Sequence, residues 1–108
     1  MTTELEHLKK MRELLATGWT QETFARDAEG NEVSPYSPAA ASFCLYGAYN
    51  RVAEENSLFH GMPPSLLQVI ERQCHHKILD VFNDVPGRTQ AEILALIDRA
   101  IEIAEAAQ

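Results

Sequence analysis

Residues 18–38 read GWTQETFARDAEGNEVSPYSP, and they interrupt a chain whose apolar residues otherwise recur at helical spacing. The stretch holds the only tryptophan, an adjacent Arg26–Asp27 pair and a polar turn. Over residues 22–34 the 3.6-residue period fails. Thr23 through Asp27 suit a short strand, and Glu32-Val33 a returning one. Ala28-Glu29-Gly30-Asn31 between them is turn chemistry, with Gly30 free to take positive φ. An isolated two-stranded hairpin is marginal in water. It must pack on something, and Trp19, Phe24, Val33 and Tyr36 are its apolar means. The expected fold follows: a mainly α, small irregular bundle of about four helices, with a β-hairpin-like arm (residues 22–34) between the first two.

The flanking segments supply the helices. Residues 3–17 carry Leu5, Leu8, Met11 and Leu15 on one face, behind a Thr3/Glu6 capping-box spacing. Gly18 is placed to end that helix in a left-handed turn, and Trp19 to fold back on Leu14. Ser37-Pro38 has the form of a helix start, so a second helix is expected over 38–55, with Ala41, Cys44, Leu45, Ala48 and Val52 inward. Gly47 in its middle costs about 1 kcal/mol relative to alanine, which close approach of the arm or a neighbouring helix would offset. Pro63-Pro64-Ser65 introduces a third helix reaching about residue 82, with Ser65 and Gln68 as a capping box and Leu67, Ile70, Cys74, Ile78 and Val81 on one stripe. Residues 83–88 form a turn, and Thr89 with Glu92 makes the clearest capping box in the chain. The fourth helix runs to about residue 106 and buries Ile93, Ile97, Ala100, Ile101 and Ala104.

Composition bounds the rest. The 108 residues suit one domain, 1–108, with one core. The net charge is −7, and the nine Lys and Arg are scattered. No basic stripe exists to neutralise phosphates, and the same charge disfavours anionic membranes, so neither nucleic acid nor membrane is expected as a partner. No run of about 18 apolar residues occurs, and the N-terminal MTTELEHLKK lacks a secretory core. The cytoplasm is the expected compartment. Cys44 and Cys74 do not make a disulfide framework and are expected as reduced, buried, small hydrophobes.

Several pieces taken together resemble a known family. They are Trp19-Thr20-Gln21, Ala25-Arg26-Asp27-Ala28-Glu29-Gly30, Cys44-Leu45-Tyr46-Gly47-Ala48, Phe82-Asn83-Asp84, and TQAEILALIDRAI from Thr89 to Ile101. In this order and spacing the chain resembles a family of small bacterial and phage proteins grouped as a domain of unknown function. The usual pattern often has a glycine after the glutamine, where this chain carries Glu22. The resemblance implies a cytoplasmic protein and brings no activity with it.

Candidate chemistry is sparse. A nucleophilic Cys44 would need a lowered pKa, but on a helix over 38–55 it stands about two turns in, beyond the strong field of the terminus. Neighbours in Cys74-His75-His76 point about 100° apart on a helix, so they do not converge on one ion. Glu71/His75 and His76/Asp80 are i,i+4 pairs that give two ligands at most, which leaves His75 and His76 as weak metal candidates and no expected metal or cofactor. Asp27, Glu29 and Glu32 crowd the arm without a catalytic separation. Gly87-Arg88-Thr89 reads as a Pro-Gly turn followed by a threonine cap. Arg26 and Asp27 should face opposite ways on a strand, Arg26 reaching Asp84 or Asp98 to pin the arm.

Two functional readings remain. One is a non-enzymatic protein-binding or accessory module, for an unknown protein or a second copy, resting on surplus aromatics (Phe43, Tyr46, Tyr49, Phe59). The alternative is a small enzyme or small-molecule binder with a pocket between the 19–36 arm and the second helix. Trp19, Gln21, Arg26, Asp27, Cys44 and Tyr46 form the candidate binding surface in either case; no catalytic residue is assigned.

Overall fold

In the computed structural model, residues 4–55, 63–74 and 79–107 are described, without the side chains of residues 71, 73, 74, 79 and 80. The element order is α1 (Glu4–Thr17), β1 (Ala25–Arg26), β2 (Ser42–Phe43), α2 (Leu45–Glu55), α3 (Pro64–Cys74), α4 (Leu79–Asn83) and α5 (Gln90–Ala106). The fold is mainly α with a small antiparallel pair of strands, as the sequence predicts.

α1 buries His7, Leu8, Met11 and Leu15. α5 buries Ile93, Leu96, Ile97, Ala100 and Ala104, and these two faces meet in the core with Leu66, Val69 and Ile70 of α3. α3 thus turns a face offset by one residue from the expected stripe: Leu67 is only partly buried, and Val81, on α4, is exposed. Cys74 and Ile78 of that stripe lie outside the described side chains, as Thr3 of the first capping box lies outside the described residues. The Thr89 box is present, with both of its reciprocal bonds.

The arm differs in pairing. Asp27 N–H donates to the Asn31 carbonyl and Val33 N–H to the Ala25 carbonyl, so residues 25–33 do turn back on themselves, with an isolated bridge between Arg26 and Glu32. The ladder itself runs to a later segment: β1 pairs antiparallel with β2, Ala25 opposite Phe43 and Arg26 opposite Ser42. On the other side of β2, Thr20 N–H donates to the Phe43 carbonyl and Phe43 N–H to the Gly18 carbonyl. Residues 41–44 are therefore held between the exit of α1 and the arm.

That clamp corrects the start of α2. Ala39-Ala40-Ala41 has high helix propensity, but Ala41 N–H donates to the Arg26 carbonyl and Cys44 N–H to the Phe24 carbonyl. Amides committed to the arm cannot also bond back into a helix, so α2 begins at Leu45. Ser37 makes a local turn, accepting from Ala39 N–H through its hydroxyl, and caps no helix. Phe43, expected as surplus surface, is buried in the strand.

Two glycines are required by close approach. Neither Gly18 nor Gly47 has positive φ, so Gly18 does not end α1 in a left-handed turn. A Cβ at Gly18 would overlap the Ala41 carbonyl, and one at Gly47 would overlap the Phe24 carbonyl. The arm lies directly on α2, which accounts for a glycine inside a helix. Gly47→Ala gains helix propensity but must push backbone aside. The expected outcome is a net loss of about 1–3 kcal/mol in a urea unfolding curve; a gain would show that the arm does not rest on α2.

His7 is fully buried in α1 with its ring centroid 5.2 Å from that of Tyr49. Burial lowers its pKa below the ordinary 6.5. Above that value the imidazole is neutral in both folded and unfolded chains, and the fold keeps its full stability. As pH falls below it, the unfolded chain takes up a proton that the folded chain resists, so stability declines towards the folded pKa. Between about pH 7.5 and pH 5.5 the wild type should lose more stability than His7→Leu, measured by urea unfolding at both values.

Candidate functional site

Asn83, the last residue of α4, organises the end of the molecule where the arm meets the helices. It is completely buried. Its Oδ1 accepts from Trp19 Nε1 at 2.7 Å and from Leu45 N–H at 3.0 Å. Its Nδ2 donates to the Thr20 carbonyl at 3.0 Å and to Asp84 Oδ1 at 2.9 Å. Two donors and two acceptor positions are all used, which fixes the orientation of the amide. Gln21 adds Nε2 bonds to the carbonyls of Asn83 and Val85, and Asp84 Oδ1 accepts Glu22 N–H at 3.0 Å.

This assembly places the sequence-derived candidates. Trp19 and Gln21 are brought together as fasteners onto Asn83. Arg26 does not reach Asp84 or Asp98. Its Nε donates to Thr20 Oγ1 at 2.9 Å and its Nη1 to the Gly30 carbonyl at 3.1 Å, so it braces the arm from within. Asp98 pairs with Arg12 at 2.6 Å instead, an exposed bridge worth little. Asp27 closes the turn: the Asn31 amide, joined by that of Glu29, holds its carboxyl below the usual range.

Cys44 is the residue before α2 and not a residue two turns in. Its Sγ accepts Gly47 N–H at 3.2 Å while Asn83 Oδ1 accepts Leu45 N–H, so the helix start is capped by both. A helix N-terminus favours a thiolate. Burial works the other way and is stronger, pushing the thiol above its ordinary pKa, with the Asp84 carboxylate adding to the effect. Cys44 is therefore a protonated, buried thiol, as its reading as a small hydrophobe requires.

A cleft of about 390 Å³ opens beside this thiol, between the arm and the start of α2, lined by Glu22, Thr23, Phe24, Glu32, Cys44 and Asp84. Tyr46 stands next to it, its ring centroid 5.8 Å from that of Phe24 and 6.0 Å, edge-on, from that of Tyr49. Phe24 is 49 % exposed and Tyr46 37 %. Glu22 holds φ at 68°, in the left-handed region that glycine adopts freely and a β-carbon disfavours.

The sequence reading did not single out Asn83, Glu22, Glu32 or Asp84 as a group. Asn83 and Asp84 stood there as part of a turn and of the family resemblance, and Asp84 as a candidate partner of Arg26; a buried asparagine carries no periodic signal. Among the described residues no three His, Cys, Asp or Glu side chains group to hold a metal ion, and His75 and His76 lie outside them. No helix among the described residues is long and apolar enough to cross a membrane.

Replacing Asn83 by alanine strands Leu45 N–H, Trp19 Nε1–H and the Thr20 carbonyl. Each lost partner of a buried group costs about 1–3 kcal/mol, so Asn83→Ala should lose about 3–5 kcal/mol in equilibrium unfolding. Trp19→Phe removes a single donor and should lose about 1–2 kcal/mol. Equal losses from the two would show that Asn83 is not the hub.

A search of curated proteins and of solved structures returns no match. A family model does match, over residues 1–103, nearly the whole chain and every segment of the arm-and-helix assembly described above. The chain belongs to this family, a family of unknown function (DUF6197).

Proposed function

We propose that the chain is a non-enzymatic interaction module that engages a protein partner on the face formed by Phe24 and Tyr46. The observation that carries this reading is the pair of half-exposed rings lying 5.8 Å apart, one from the arm and one from α2. Large rings left in water side by side are a recurrent feature of contact surfaces. They are also held in place. Tyr46 is braced edge-on by Tyr49, and the arm bearing Phe24 lies against Gly47. A partner binding there spends little on ordering them. The neighbouring polar residues support the reading, because Trp19, Gln21, Arg26 and Asp27 are engaged within the fold and Cys44 is a protonated thiol.

The cleft beside Phe24 favours a second reading, since its volume falls within the range of small-ligand sites. Native mass spectrometry of the gently purified chain separates the two. The expected result is a complex with another protein for the wild type and a bare monomer for the Phe24→Ser/Tyr46→Ser double variant, which keeps its helical circular dichroism. A monomer carrying a stoichiometric small adduct in both proteins would overturn the interaction reading in favour of the pocket.

A further inference from the structure

We propose that the occupant of the Phe24–Tyr46 face is an extended basic segment of a partner, whose arginine or lysine side chains enter the adjoining cleft. The inference rests on the interaction reading and adds the chemistry of the partner. Three of the six residues that line the cleft are carboxylates, Glu22, Glu32 and Asp84, and none is Lys, Arg or His. Glu22 and Glu32 come from the arm and Asp84 from the turn after α4, and among the described residues no three such side chains group closely enough to hold a metal ion. That arrangement suits a cationic side chain on a longer ligand better than one compact ion.

Arg26, in the same arm, does not cancel them. Arg26 is bridged through its backbone to Glu32, but its guanidinium turns to Thr20 Oγ1 and to the carbonyls of Gly30 and Gln21. Glu22 and Glu32 make no ion pair within the described residues. Asp84 is held by Asn83 Nδ2 and Glu22 N–H, which fix the carboxylate without adding positive charge.

The aromatic half of the face has the same preference. A guanidinium or ammonium group is attracted to the face of a Phe or Tyr ring, and guanidinium also stacks flat on it. Within this chain Arg88 already does so, lying 3.9 Å from the centroid of the Phe82 ring. Exposed rings beside unpaired carboxylates give a cation two favourable contacts at once. A second copy of the chain brings the wrong charge. At a net charge of −7 it would set carboxylates against carboxylates on this face.

The test is a titration of the ¹⁵N-labelled full chain with amidated hexa-arginine, followed by amide chemical shifts. The expected shifts centre on Glu22, Thr23, Phe24, Glu32, Tyr46 and Asp84, and fade with added salt. Phe24→Ala and Glu32→Gln should each weaken the interaction about threefold or more, and Glu102→Gln, far along α5, should leave it unchanged. Glu32→Gln is an exposed, isosteric change and serves if Phe24→Ala disturbs the arm. Shifts spread evenly over the acidic surface, or equal in all three variants, would overturn the inference. A capped hexapeptide alternating glycine and leucine supplies the contrast. Shifts at Phe24 and Tyr46 from this peptide, with hexa-arginine inert, would overturn the basic partner while leaving the interaction reading in place. Silence from both peptides would remove both.

Discussion

The four hydrogen bonds of the Asn83 side chain are the constraint on which this architecture depends. An amide buried without partners is a large penalty for a domain whose total stability is on the order of 5–15 kcal/mol. Satisfied, the same amide joins four segments: the exit of α1 through Trp19 and Thr20, the start of α2 through Leu45, its own α4, and the acidic turn through Asp84. Trp19, Thr20 and Leu45 lie in the first half of the chain, far from α4 in sequence. One polar side chain thus fixes where the arm sits and where α2 begins.

The same device recurs at other helix ends. Glu4, in α1, places its carboxylate on Ser65 N–H and Ser65 Oγ at the start of α3, so Ser65 is a recipient of capping and not the cap. Gln90, in α5, donates through Nε2 to the Leu15 carbonyl at the end of α1, at 2.8 Å. With Asn83 at the start of α2, three helix ends are satisfied by side chains from other elements. Free amides and carbonyls at helix ends have to find partners somewhere. Here tertiary contacts supply them, so the caps also act as fasteners between helices.

The arm becomes ordered by being enclosed. β1 and β2 are two residues each, too short to persist alone. They hold because β2 is bonded on both sides and because Gly18 and Gly47 let backbone approach backbone. The outcome leaves Phe24 on the outside, beside Tyr46, while Phe43 on the directly paired strand is buried. The surface proposed for partners is therefore a by-product of the same packing that secures the end of the bundle, and the carboxylates around the cleft belong to the segments which that packing draws together.

What the residues determine by themselves is local. The amphipathic faces of α1 and α5 are written in Leu8, Met11, Leu15, Ile93, Ile97 and Ala100, because a 3.6-residue period is a property of neighbours in sequence. The Thr89–Glu92 box is legible for the same reason: both halves of the cap lie within one turn. The irregularity of residues 22–34 and the close approach of a neighbouring segment implied by Gly47 are local too. The late start of α2 is not, because Ala39-Ala40-Ala41 favours a helix and only hydrogen bonds to Arg26 and Phe24 divert it. The partners of Arg26, the capping roles of Asn83, Glu4 and Gln90, and the grouping of Glu22, Glu32 and Asp84 around one cleft join residues from separate parts of the chain. Only the folded chain decides these, since hydrogen-bond geometry at about 3 Å depends on how whole elements pack and leaves no periodic trace in the sequence.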